Sequence, residues 1–404
     1  MEGLVDFGWL DFSAADMKRT KKALSELNSG SIDELGISII RDGFADKLFP
    51  GLSVVQTSLK YFLLIPVMLS KAERKLKEDA QKENNRENLF RLLEEKLIEL
   101  QCIFCDNACK NRTDSEKINI IGNSSANRKD IPYQKRLVRF PHSIYWNGLY
   151  TFGLVDFPTM REYSYQLIER MKTDDNLYWK KKLFPLKADD ILYPPKEQHP
   201  LELSKPERDY LLGKIKTALQ GRNTLLEELI ENPERFILSE QSNQTLAIAE
   251  ALRNTQSEEV KNIASMAAKF SIYMRCAFLG FNIAWGHEDK EQFLKEIHQL
   301  KETVEGFSGS DKFLDTVAVM FDYQKKKKSV LDCMKNYFQL LENDSFSYEE
   351  IRKAMIPWEN AAKGSKAYLE KSDSSEKKNW VGMKYLDFRL ITALKLFGGK
   401  NGSN

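Results

Sequence analysis

The sequence is poor in the residues on which many enzymes and extracellular domains depend. Its 404 residues include only four histidines and five cysteines. So few cysteines exclude a disulfide-built scaffold, and four widely spaced histidines offer little to a mechanism that needs several imidazoles. The 61 basic side chains nearly balance the 59 acidic ones, which excludes a uniformly basic protein that coats nucleic acid. The length suffices for two or three domains with large apolar cores.

Signals for export and membrane insertion are missing as well. The first twelve residues carry Glu2, Asp6 and Asp11, where a signal peptide needs basic residues followed by an apolar stretch. The most apolar run, residues 61–69, is far shorter than the roughly 20 residues that span a bilayer. We therefore expect a cytoplasmic protein that makes no contact with a membrane.

Several catalytic and nucleotide-binding motifs are absent. The sequence contains no G-x-x-x-x-G-K-[ST] phosphate loop, no G-x-G-x-x-G turn, no G-x-S-x-G elbow, no H-E-x-x-H helix and no H-x-K-x4-D motif. Nucleotide hydrolysis, dinucleotide chemistry, serine hydrolysis and zinc proteolysis therefore lack the groups that would perform them. These absences favour a non-catalytic protein without a cofactor, and no catalytic residue is predicted.

Helical patterns dominate the residues that are present. Three capping-box pairs mark helix starts, namely Ser31 with Glu34, Ser204 with Glu207, and Ser347 with Glu350. The first pair predicts a helix over about 32–48, which Pro50 and Gly51 close. Apolar residues keep a helical period over 258–285, which predicts a central core helix. The fold is therefore expected to be mainly α and multi-helical.

Changes in composition predict two or three helical subdomains. The predicted parts are an N-terminal helical domain over 1–105, a linker with a helix-turn-helix-like segment over 106–200, and a C-terminal helical domain over 201–404. Prolines concentrated in residues 183–200 mark the second boundary. In the middle part, the short apolar runs 118–121 and 137–140 could form strands, as a β-hairpin or part of a winged-helix-like segment.

The segment from 134 to 172 is the strongest candidate for a binding surface. It predicts a short helix that Ser143 caps and Gly153 ends, followed by a second helix over about 159–171, a layout similar to a helix-turn-helix. Residues 106–139 carry eight cations and four anions. This local excess of four positive charges suits contacts with phosphates.

Seven residues of this region are predicted to contact nucleic acid. They are Lys135, Arg136, Arg139, Tyr145, Trp146, Arg161 and Arg170. In this interpretation the cations contact phosphates and the two rings pack or stack against the nucleic acid. The alternative interpretation places the rings in the core and leaves the cations to solvate a loop.

A second basic run consists of the four lysines at 325–328. Such a run is typical of the solvated last turn of a helix, where the helix dipole favours cations. Phosphate binding by these lysines is the alternative.

Two groups of side chains have spacings that could suit a metal ion. Cys102, Cys105 and Cys109 could supply three thiolates to zinc, but a fourth ligand is missing nearby, and buried helical cysteines produce the same pattern. Asp42 and Asp46 lie four residues apart on a predicted helix and could hold magnesium in a nuclease. Ion pairing or solvation is the ordinary role of such carboxylates, so no metal site is predicted.

Several stretches resemble an uncharacterised bacterial protein family of about this length. They are GWLDFS at residues 8–13, DELGI at 33–37, IRDGFADKLFPG at 40–51 and, further along, Ile144-Tyr145-Trp146. The resemblance spans most of the chain, and its specific part lies in the N-terminal third. It implies a role in an antiviral or DNA-processing assembly, in gene neighbourhoods that contain helicases and phospholipase-D-like nucleases. It supplies no catalytic residues.

These observations predict a non-catalytic subunit of a multi-protein bacterial system. The subunit would bind DNA or a protein partner, such as a helicase or nuclease subunit, through residues 134–172. One alternative is a metal-dependent nuclease that uses Asp42 and Asp46. Another is a purely helical scaffold that supplies docking surfaces to its partners.

Overall fold

The structure is a computed structural model, and it describes eleven stretches of the chain. They are residues 35–80, 85–128, 130–137, 139–173, 192–193, 198–236, 255–303, 309–343, 345–370, 392–393 and 396–397. The motif at residues 8–13, the Ser31–Glu34 pair and most of the proline-rich stretch 183–200 lie outside these residues.

Fourteen α-helices make up most of the described residues. The first seven are α1 (Ser38–Leu48), α2 (Tyr61–Ala80), α3 (Arg86–Cys109), α4 (Asp114–Lys117), α5 (Tyr133–Arg136), α6 (Pro141–Thr151) and α7 (Met160–Thr173). The others are α8 (Lys205–Leu219), α9 (Leu225–Glu231), α10 (Glu258–Ala284), α11 (Lys290–Thr303), α12 (Ser310–Met320), α13 (Tyr323–Glu342) and α14 (Tyr348–Lys363). The fold is mainly α and multi-helical, as the sequence predicts.

No strand occurs within the described ranges, and the predicted hairpin does not form there. Residues 118–121 are turns, and the backbone N–H of Ile121 donates to the Tyr61 hydroxyl at 2.8 Å. Leu137 packs against Ile98 and Cys102 of α3 instead of pairing with a second strand. Each of the two apolar runs supplies a buried side chain to the helical core, Ile120 from the first and Leu137 from the second.

Local sequence signals account for several helix boundaries. Glu207 accepts a hydrogen bond from the backbone N–H of Ser204 at 2.8 Å, and Glu350 accepts one from Ser347 at 2.8 Å. The two predicted capping boxes that lie within the described residues are therefore confirmed, and α10 confirms the predicted core helix. The predicted cap of α6 is wrong, because Phe140 precedes its first turn and the Ser143 hydroxyl donates to the Phe140 carbonyl.

The lysine run lies at the opposite end of a helix from the predicted one. Residues 325–328 fall in the first turns of α13, where the helix is kinked at Lys327 (φ −144°, ψ 42°). Asp322 precedes the helix with a left-handed backbone, φ 52° and ψ 29°. The prediction fails because a new helix starts directly after α12 ends at Met320, with only two residues between the helices.

The chain forms two compact units, each made of segments that are distant in sequence. The first consists of Met1–Asp42 and Ile272–Met383, and the second of Gly43–Ser271 and Lys384–Asn404. The three-part division drawn from composition stays a prediction. No described helix combines the length and the apolar composition that crossing a bilayer requires.

In the first unit, residues near the start of the described chain are held by helices near its end. The buried Tyr323 hydroxyl donates to the Gly36 carbonyl at 2.6 Å, and the buried Trp358 indole N–H donates to the Leu35 carbonyl at 2.8 Å. In this unit α13 packs against both α12 and α14. These contacts fix the N-terminal segment against the helical core.

In the second unit, α2 is the central helix. It packs against α3, α6, α7 and α8, and nine of its first ten residues are buried apolar side chains, among them Pro66. Just before α2, the buried Lys60 ammonium donates to both carboxylate oxygens of Glu207 on α8, at 2.6 and 2.7 Å. Removing either charge would leave the other buried without a partner.

Candidate nucleic-acid interface

Arg136 is a buried anchor for the short helix α5. Its side chain is 3% exposed, and its guanidinium binds both carboxylate oxygens of Asp106 on α3. The same guanidinium donates to the Ser125 carbonyl at 3.0 Å. This hydrogen bonding with Asp106 raises the pKa of Arg136. Arg136 therefore links α5 and the turn at 123–127 to α3, and Asp106 neutralises its charge inside the fold.

Arg161 lies far from Arg136. Its guanidinium pairs with Glu87 at 3.0 Å and lies over the Phe90 ring at 5.0 Å. Glu87 and Asp106 are 19 residues apart on α3, which is roughly 28 Å at the helical rise of 1.5 Å per residue. The structure thus places the two arginines near opposite ends of one helix and does not bring them together.

The two predicted aromatic contacts lie in the core of the second unit. The buried Tyr145 hydroxyl accepts from the backbone N–H of Thr57 at 2.8 Å and donates to the Ser58 carbonyl at 3.0 Å. The Trp146 indole donates to the Phe157 carbonyl at 3.1 Å. Both rings are buried, so neither has a free face on which a base could stack. The structure places these two rings in the core, as in the alternative interpretation.

The remaining predicted residues are placed differently from one another. Lys135 is exposed on α5, and Arg139 is half-buried just after it. Arg170 lies on α7, but its side chain is outside the described part of the structure.

Most other cations of the 106–139 segment are neutralised locally. Arg112 pairs with Glu116 at 3.9 Å, Lys117 pairs with Asp114 at 3.3 Å, and Arg128 pairs with Asp130 at 2.9 Å. Lys129 lies outside the described residues. The excess positive charge of residues 106–139 is therefore carried by fewer side chains than the count of eight cations suggests.

Exposed aromatic and cationic side chains remain on α5 and just beyond the end of α3, and together we call them the α5 surface. It consists of Tyr133, Lys135 and Lys110. The Tyr133 side chain is 39% exposed, and its ring lies 5.5 Å from the Arg136 guanidinium. Lys110 follows the last residue of α3, about one turn beyond Asp106. Neither lysine forms an ion pair within the described ranges.

Sequence reasoning missed Tyr133. The Tyr133 carbonyl accepts a weak hydrogen bond from the Cys102 thiol at 3.7 Å, and the Arg136 guanidinium lies over the Tyr133 ring. The available signal was the order Pro132-Tyr133-Gln134-Lys135, an aromatic residue among polar ones with no apolar period to bury it.

The carboxylates that could have formed a nuclease site have other contacts. Arg41 donates two hydrogen bonds to Asp42, at 3.0 and 3.3 Å, and Asp46 is exposed four residues further along α1. No group of three histidine, cysteine, aspartate or glutamate side chains is arranged around a metal position in the part of the chain that the structure describes.

The three clustered cysteines are buried on α3 with their thiols reduced. Burial raises the pKa of the Cys102 thiol to about 11. A hydrogen bond between Cys105 and Cys109 raises the pKa of Cys105 and lowers that of Cys109. The thiols therefore contact one another and the core, as small buried side chains do.

A family model matches residues 4–291, about seven tenths of the chain, and its description is a family of unknown function, DUF6361. The chain belongs to DUF6361. The resemblance to an uncharacterised family is thereby confirmed. A search of curated proteins and a search of solved structures each find no match to this DUF6361 member. The defence-system setting implied by the resemblance stays a prediction.

Proposed function

We propose that this DUF6361 protein is a non-catalytic subunit that binds nucleic acid through the α5 surface. The observation that carries the proposal is that Tyr133 and Lys135 are both exposed on the short helix α5. A ring next to cations suits single-stranded nucleic acid, because each base can stack on the ring while the cations contact the phosphates.

The buried anchor under α5 supports this role. A four-residue helix has little stability of its own, and the Arg136–Asp106 pair fixes it to a 24-residue helix. The exposed side chains of α5 are therefore presented from a rigid support, which lowers the entropy that binding must overcome.

The charge arrangement favours binding over catalysis. The Asp42 carboxylate is engaged by Arg41, so the nuclease alternative has no carboxylate pair directed at a shared ion. The proposed helicase or nuclease partners would supply any bond-breaking chemistry, and this part of the proposal rests on the family resemblance alone.

The test measures binding of a fluorescein-labelled 30-nucleotide single strand by fluorescence anisotropy over a range of salt concentrations. Each lysine that contacts a phosphate contributes about 0.7 to the slope of log affinity against log salt. We expect the Lys110→Gln/Lys135→Gln variant to bind more weakly and to lower the slope by about 1.4. The matched control, Lys47→Gln/Lys75→Gln, removes two exposed lysines elsewhere in the same unit and should leave the slope unchanged.

A second arm tests the ring. Stacking of one base contributes roughly 1–3 kcal/mol, so Tyr133→Ala should weaken binding about 5- to 150-fold, whereas Tyr133→Phe should bind like the wild type. Equal salt slopes for the Lys110→Gln/Lys135→Gln variant, which we call the α5 variant, and the wild type, with circular dichroism showing intact folds, would refute the proposal.

A further inference from the structure

The four lysines at 325–328 lie in an exposed stretch between two buried residues. Tyr323 is fully buried and donates to the Gly36 carbonyl at 2.6 Å. Val330 is buried two turns later. Of the residues between them, only Lys327 is half-buried and the others are exposed. This stretch therefore exposes cations to solvent over about one helical turn that contains no buried apolar side chain.

Asp315 is engaged by residues outside the run, whereas Asp322 pairs with the first lysine of the run. Asp315 on α12 accepts from the Lys335 ammonium at 2.6 Å and from the Gln324 amide at 3.3 Å. Asp322 pairs with Lys325 at 3.0 Å, and both of these side chains are largely exposed, so solvent screens the pair. Lys326 and Lys328 form no ion pair within the described ranges.

The position of the run is unfavourable for the isolated protein. The first turn of α13 contains no acidic residue, and the backbone leaves helical geometry inside the run, at Lys327 (φ −144°, ψ 42°). Four adjacent lysines repel one another there. An anion held by several of them would remove this repulsion, and a polyanion would neutralise them together.

We infer that residues 325–328 form a phosphate-binding surface for double-stranded nucleic acid. The run offers no exposed ring, since Tyr323 is buried, so it has no base-stacking platform and fits an intact duplex backbone better than a single strand. An anionic membrane fits less well, because the run Gln-Lys-Lys-Lys-Lys-Ser contains no apolar residue to insert. The run lies outside the family match at 4–291, so the inference does not depend on family membership.

The experiment uses the full chain and a fluorescein-labelled 30-base-pair duplex of random sequence. Each phosphate contact made by a lysine contributes about 0.9 to the salt slope for duplex DNA. We expect Lys326→Gln/Lys328→Gln to weaken duplex binding and to lower the slope by about 1.8. The matched control, Lys295→Gln/Lys353→Gln, removes two exposed lysines of the same unit and should bind the duplex like the wild type.

Three results would overturn the inference. The first is an unchanged affinity and slope for the run variant, with circular dichroism showing an intact fold. The second is no duplex binding by the wild type at low salt. The third is binding to phosphatidylserine vesicles that depends on Lys326 and Lys328 and exceeds binding to the duplex. The α5 variant is measured separately, so failure at the α5 surface is distinguishable from failure here.

Discussion

His142 shows at the scale of one residue how burial couples this fold to pH. Its side chain is 4% exposed, and the Gln101 amide donates to its Nδ1 atom at 3.0 Å. Burial lowers the pKa of His142 from 6.5 to about 4. The Glu94 carboxylate, 4.0 Å from Nε2 and 37% exposed, does not offset this desolvation. The folded protein therefore holds His142 neutral.

The sign of the pH effect follows from the lowered pKa of His142. Between about pH 6.5 and pH 4 the unfolded chain binds the proton and the folded chain does not, so stability falls as the pH is lowered through this window. The full loss is about 3 kcal/mol. We expect urea unfolding to reveal this loss in the wild type.

The matched variant is His142→Asn, because an asparagine oxygen can accept the Gln101 hydrogen bond without titrating. We expect the free energy of unfolding of this variant to change less between pH 6.5 and pH 4 than that of the wild type, by about 3 kcal/mol. Parallel pH profiles for the two proteins would show that His142 is not the responsible group.

At the scale of elements, α5 depends on its tie to α3. We expect Arg136→Met to lower the free energy of unfolding by roughly 3–5 kcal/mol, because Asp106 and the Ser125 carbonyl lose a buried partner. Arg128→Met is the control, since its pair with Asp130 is exposed and should contribute less than about 1 kcal/mol. Urea titration of both variants measures the difference, and equal effects would contradict the assignment of Arg136 as an anchor.

The elements themselves could be predicted more fully than their contacts. Ser204 with Glu207 fixes the start of α8 within a few neighbouring residues, so local sequence suffices. Arg136 and Asp106 are 30 residues apart, and no local pattern shows that they meet. For the same reason the sequence could not separate the buried Tyr145 from the exposed Tyr133, because an aromatic residue beside polar ones suits both places.

At the scale of the whole molecule, each unit contains a close approach that only glycine permits. In the second unit, a Cβ atom at Gly148 would lie 2.5 Å from the Gly51 carbonyl oxygen and 2.6 Å from the Phe62 ring. In the first unit, a Cβ atom at Gly280 would collide with the hydroxyl of Tyr337, which donates to the Cys276 carbonyl at 2.8 Å. Helix packing in both units therefore depends on a missing side chain.

We expect Gly148→Ala and Gly280→Ala each to lower the free energy of unfolding by about 1–3 kcal/mol through overpacking. Gly213→Ala is the control, because that position is an exposed part of α8 with open space around it. Alanine there should stabilise the protein by up to about 1 kcal/mol. Thermal or urea unfolding of the three variants tests the contrast in sign, and destabilisation by all three would contradict it.

The hydrogen bond from Trp358 to the Leu35 carbonyl has a consequence for synthesis on the ribosome. Its partners are 323 residues apart in the chain. At translation rates of about 5–20 residues per second, Leu35 is made roughly 16 to 65 seconds before Trp358. During that interval the nascent N-terminal segment lacks its native partners, while residues 43–271 are made. A chaperone that shields exposed apolar segments would therefore act on this protein early in translation.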